Sequence, residues 1–180
     1  MTDQTSSPSD EASQNAALHK AVIVGMQPGQ SRHVLEEAAR YAKLFEVPLV
    51  VAHVDVTRFV TYEDPDGYVH SAPIDLNVDA GVAEFEDVQR EAGSVLADSG
   101  VTWTARQLVG DPALAMKQLA NKIDAQLIVV GTRNRGLGES IREFFTGSVA
   151  ARLAHRQHRP ILVVPLEQEV PDDQAEIWTE

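Results

Sequence analysis

The stretch Gly131 to Val149, GTRNRGLGESIREFFTGSV, gathers residue types suited to holding phosphate: Gly131, Gly136, Gly138 and Gly147 stand among Arg133, Arg135 and Arg142, with Ser148 at the far end. It follows the apolar run QLIVV and precedes a helical pattern. Glycines let backbone N–H groups approach an anion, and a helix opening near Gly147-Ser148 presents unpaired donors and the positive end of its dipole. Two readings stay open from these residues alone. Ser148 either lends its hydroxyl to a phosphate or caps its helix, a place where Ser is strongly preferred, and the arginines suit an anion site or a solvated loop equally.

Other motifs carry less. Gly136-Leu-Gly138 begins like a dinucleotide fingerprint but lacks its third glycine and follows the fourth apparent strand, not the first. There is no Gly-Lys-Ser/Thr triplet, and no acidic pair follows the first strand as a phospho-accepting domain requires. His155 and His158, at i, i+3 near a helix end, read as dipole partners rather than metal ligands. Glu63, Asp64 and Asp66 read as a solvated acidic loop, since no calcium-loop spacing follows them. His53, inside an apolar strand, reads as a satisfied buried or half-buried side chain rather than a general base. No Ser, His and Asp set is brought together by sequence, so no catalytic residue is assigned and any turnover is expected to be slow.

The elements that must position these residues alternate. Lys20 to Gly25 is a short β-branched run ending in glycine, and a helical pattern follows with Val34, Leu35, Ala38, Ala42 and Phe45 on one side. Val47 to Asp55 contains a second strand apolar enough to be buried on both faces. Residues 59 to 77 show no clear period and carry a turn signal at Asp64-Pro-Asp-Gly67, which suggests an excursion or a lid. Helical spacing returns from Val82 to Leu96, and Val101 to Val109 reads as a strand. Asp111-Pro112 supplies an N-cap and a proline in the first turn of the next helix. The strand before Gly131, a helix to about Gln157 and the strand Pro160 to Pro165 complete the chain. Such alternation predicts one parallel sheet with right-handed crossovers and helices on both faces, with ligands beyond the carboxyl ends of its strands.

A chain of 180 residues with 43% hydrophobic content suits one domain with excess at its ends. Residues 1 to 17 and 167 to 180 read as tails, the first disordered by composition and the second acidic, leaving 18 to 166 as the domain. The absence of cysteine removes disulfides, thiolate metal sites and thiol nucleophiles. A net charge of −12 opposes general attraction to nucleic acid or anionic membranes, so any anionic ligand must be held locally. The polar N-terminal stretch has neither the basic nor the apolar region of a secretory signal, which points to the cytoplasm. The last strand is apolar and bracketed by prolines, as at a sheet edge; covering that edge with Ile161 to Val164 of a second copy predicts a homodimer, the alternative cover being the acidic C-terminal tail.

Taken in order, AVIVG at 21 to 25, LVVAHVD at 49 to 55, VGDP at 109 to 112, AQLIVVGTR at 125 to 133, TGSV at 146 to 149 and RPILVVP at 159 to 165 resemble the landmarks of the universal stress protein family. The resemblance spans roughly residues 18 to 166. It implies a Rossmann-like, doubly wound α/β domain with sheet order 3-2-1-4-5, dimerisation through the last strand, and in one branch of the family binding of ATP, with Mg²⁺, or another adenine nucleotide in a stress-response role. The binding branch carries Gly-x2-Gly-x9-Gly-Ser/Thr after the fourth strand. Gly131 matches its first position, and Gly147 with Ser148 its last, next to Val149. The middle departs: Asn134 stands where a glycine is expected, and residues 132 to 146 form a longer stretch than the pattern spans. Asn134 tolerates left-handed backbone angles, and Gly136 is placed to take over the role. Gln27 stands where binders usually have an aspartate near the nucleoside, whereas Val54 matches the position whose backbone reads adenine. The resemblance thus implies Gly131, Gly136, Gly147 and Ser148 at phosphates, Arg133 or Arg135 as charge partners, and Gln27 and Val54 at the nucleoside. It also leaves a non-binding, partner-directed dimer as the alternative.

Overall fold

The structure, a computed structural model, describes residues 8–63, 69–73, 80–132 and 149–165, and within these the side chains of 13–58, 81–132 and 149–165. Its centre is a parallel sheet of β1 (Val22–Gly25), β2 (Leu49–Asp55), β5 (Trp103–Val109), β6 (Leu127–Gly131) and β7 (Ile161–Val164). The order is β5-β2-β1-β6-β7, which is 3-2-1-4-5 when the strands of this sheet are counted alone. β2 is buried along its whole length, and β1 and β6 to their last residues, as strands covered on both faces must be.

Strand alternation sorts the side chains into two layers. Ile23, Val50, Ala52, Val54, Ile128 and Val130 face α4 (Pro112–Lys122) and α5 (Val149–Arg156). Val22, Val24, Leu49, Val51, Leu127 and Val129 face α2 (Arg32–Phe45) and α3 (Ala80–Leu96). The helices end where local chemistry dictates. Ser31 caps α2, its hydroxyl accepting from the His33 N–H at 3.3 Å, and Glu46, at φ 56°, closes the helix in a left-handed conformation. Asp111 caps α4, accepting from Leu114 N–H at 2.9 Å with Pro112 in the first turn.

At the amino end of the sheet Arg159, with its side chain only 9% exposed, donates to the Ala125 carbonyl at 2.9 Å and to Asn121 Oδ1 at 2.7 Å. Its other nitrogen pairs with Asp124 at 3.3 Å, and Asp124 also receives Lys20 at 2.5 Å. The Lys20 hydrogen bond is the largest influence on the Asp124 carboxyl; burial opposes it, but with the Arg159 hydrogen bond and the two positive charges added the group is held below the usual carboxylate range. These contacts tie the start of β7 to the end of α4.

Two features differ from expectation. The first segment, read as a tail, forms helix α1 (Pro8–Ala17) once it is described. Pro8 suits a first helical position, alanines fill the last turn, and Leu18 directly after it is buried in the core, so local propensity plus one anchor outweighs the polar composition. The excursion after β2 contains an antiparallel ladder of β3 (Arg58–Glu63) with β4 (Val69–Pro73), and the turn signal falls between them. An irregularity between Val60 and Tyr62 breaks the alternation that would have revealed the strands. Any role of this hairpin as a lid rests on residues only partly described. Among the described residues no helix is long and apolar enough to cross a membrane.

Candidate functional site

The order of the sheet reverses between β1 and β6, and loops leaving neighbouring strands there must part, opening a crevice. The register sets the strand ends: Gly25, the last residue of β1, lies beside Ala52 on one side and Val130 on the other, so β2 runs three residues and β6 one residue farther. Gln27, Val54 and Gly131, each one or two residues past those partners, therefore gather at one end of the sheet.

The main chain of Val54 follows from the parity of the ladders. Val22 N–H donates to Pro48 and Met26 N–H to Ala52, both at 2.9 Å, so the even-numbered residues of β2 turn their polar groups toward β1. Leu49 N–H donates to Thr102 and Gly110 N–H to Asp55, so the odd-numbered residues serve β5. The N–H and C=O of one residue point to the same side of a strand. Those of Val54 thus face the β1 side after β1 has ended, and among the described residues they meet no hydrogen-bond partner. The result is a short open strand edge at the crevice.

The loop after β1 is braced from several directions. Gln27 N–H donates to Gln30 Oε1 at 3.1 Å, and Gly29, at φ 68°, donates to Glu91 Oε1 of α3 at 3.1 Å. Gln30 reaches over the end of β6. A Cβ on Gly131 would lie 2.5 Å from Gln30 Nε2 and 2.9 Å from Val34 Cγ2, so the loop and α2 approach β6 this closely only because residue 131 has no side chain. Past Gly131 the chain is held by Thr132 N–H on the Val164 carbonyl at 2.9 Å.

Across the crevice Asp111, the cap of α4, is paired with Arg152 of α5. Burial raises the Asp111 carboxyl, but the hydrogen bonds from Arg152 and the Leu114 backbone, together with the charges of Arg152 and Arg156, outweigh it and hold the group below its ordinary value. The pair fixes the first turns of α5, whose opening residue Val149 is half-buried against the core.

Of the residues singled out by sequence, Gln27, Val54 and Gly131 come together, and Val149 starts α5. Arg133, Asn134, Gly136, Gly147 and Ser148 lie outside the described residues. Gln30 was missed, because nothing in a loop glutamine signals that its side chain packs on a distant glycine. His53, expected to be a satisfied buried or half-buried side chain, is 1% exposed, and among the described residues one of its two ring nitrogens has a hydrogen-bond partner. Its strand parity was the available signal, since it puts the ring on the layer beneath the first loop.

A model of the universal stress protein family matches residues 19–165. The chain is 28% identical over 152 residues to the universal stress protein MJ0531 of Methanocaldococcus jannaschii, covering 82% of each protein. Its fold is similar to that of a universal stress protein from Archaeoglobus fulgidus in complex with dAMP, with TM-score 0.56 and 21% identity over 82% of this chain and 98% of that one. It is also similar to a universal stress protein in complex with cAMP, with TM-score 0.53 and 23% identity over 82% of this chain and 98% of that one. The sheet order and the match across residues 19–165 agree: the chain belongs to the universal stress protein family.

Proposed function

We propose that the chain binds an adenine nucleotide, ATP with Mg²⁺ included, in the crevice over β1, β2 and β6, and acts through that binding as a cytoplasmic regulator in a stress response. The observation that carries this reading is the open main-chain edge at Val54. One donor and one acceptor side by side complement the Watson–Crick edge of adenine, whose N1 accepts and whose N6 amino group donates. Guanine presents the reverse order there. Gln27, exposed above this edge, serves the ribose or base, and Gly131 starts a phosphate-holding stretch that runs through Arg133, Asn134 and Gly136 to Gly147, Ser148 and Val149. Two family members of similar fold hold dAMP and cAMP, which supports an adenine ligand here.

The purified protein, once denatured, is expected to release an adenine nucleotide identifiable by mass spectrometry, or in its emptied form to melt higher with ATP and Mg²⁺. Ligand at a hundredfold over Kd stabilises by about 2.7 kcal/mol, or about 5 to 10 °C for a domain of this size. No released nucleotide together with no shift at millimolar ATP sinks the reading. One feature favours the alternative of a dimeric partner protein without nucleotide: Gln30 already packs against Gly131, at the start of a loop that departs from the binding pattern.

The same reading takes β7 as the dimer edge. It is a sheet edge, and Val163 is 45% exposed on it. Val163→Arg is expected to give a monomer by light scattering; a persisting dimer moves the interface elsewhere.

A further inference from the structure

The ladder between β1 and β2 stops one bond early, and the carbonyl it would use next is engaged by a side chain. After Met26 N–H donates to Ala52, the repeat of a parallel ladder calls next for Val54 N–H to donate to the Met26 carbonyl. That carbonyl is instead met by His53 Nδ1 at 3.2 Å. A carbonyl only accepts, so Nδ1 carries a hydrogen. Among the described residues Nε2 has no hydrogen-bond partner, and it faces the carboxylate of Glu84 at 3.5 Å, within ion-pair range. The ring is 1% exposed and stacked on Phe85 of α3, with centroids 6.4 Å apart, so it has no freedom to swing away. Beside it on β5, Gln107 donates to the Gly81 carbonyl at 2.9 Å, fixing the start of α3.

We infer that His53 is a positioning residue for the base: by capturing the Met26 carbonyl it keeps the Val54 N–H from closing the ladder, and so keeps that N–H available to a ligand. This rests on the nucleotide reading for its biological meaning, though not for its geometry. His53 touches no ligand. It sets the hydrogen-bonding state of the residue next to it and at the same time anchors the first residue of the loop that carries Gln27.

The substitution His53→Phe keeps the ring and removes the donor, whereas His53→Asn keeps an amide donor near the place of Nδ1. His53→Gln moves the donor toward the place of Nε2. Two measurements on the full chain separate the possibilities. In ligand-free protein, hydrogen exchange at the Val54 amide is expected to slow at least tenfold in His53→Phe and His53→Gln as it takes up the Met26 carbonyl, and to stay within about twofold of wild type in His53→Asn. In titrations, ATP affinity is expected to fall about tenfold in the first two variants, the loss of one well-made hydrogen bond, with affinity for tripolyphosphate unchanged and ATP binding retained in His53→Asn. An unchanged Val54 exchange rate in both donor-displaced variants overturns the inference, as does an equal loss for ATP and tripolyphosphate. If His53→Phe does not fold, His53→Gln against His53→Asn decides alone. If wild type binds no nucleotide, the proposed function fails, while the exchange measurement still decides the role of His53.

Discussion

Gly131→Val is expected to lower affinity for ATP about a hundredfold and to destabilise the fold by about 2 kcal/mol. The clash has two parts of different character. The amide end of Gln30, 2.5 Å from the new Cβ, can rotate away, but only by giving up the contact from its Oε1 to the Gln27 N–H. Val34 Cγ2, 2.9 Å away, cannot retreat, because Val34 is fully buried in the first turn of α2. Relief therefore comes from tilting the start of α2 and releasing the loop that carries Gln27. Calorimetric titration with ATP and urea unfolding measure the two effects. A variant with wild-type affinity and stability shows that the loop does not depend on this contact.

Ile128→Ala is the substitution with the largest expected cost to the fold, about 3 kcal/mol. Ile128 is fully buried at the middle of β6, in register with Ile23 on β1 and with Ile161 on β7. The cavity would open inside the layer formed with α4 and α5, where the surrounding strands are fixed by ladders on both sides and cannot collapse inward. With a slope of about 2 kcal/mol per molar urea, the midpoint should fall by about 1.5 M with the slope unchanged. A shift under about 0.5 M indicates that the layer relaxes around the gap.

The sheet was legible in the sequence because its strands are short, β-branched and separated by helices of clear period, so each element announced itself locally. Parallel order did not have to be guessed from side chains: alternation of strand and helix dictated it, and the family landmarks supplied 3-2-1-4-5. The hairpin escaped because β3 and β4 pair with each other across an irregularity and lack a steady two-residue period. Helix α1 escaped because disorder was judged from average polarity, whereas its fixing depends on the single buried Leu18 beyond its end. The placement of Gly131, Gln27 and Val54 at one end of the sheet was legible from motif positions. Gln30 and His53 were not, since what each does depends on which backbone atom lies opposite it in space, and that is a property of register.

The clamp of Lys20, Asp124, Asn121 and Arg159 sits at the amino ends of the strands, the opposite pole from the crevice. Securing the last strand there gives β7 a second anchor, independent of the Thr132 N–H that holds its other end at the carboxyl pole. A substitution at one pole of β7 therefore leaves the strand tied down at the other.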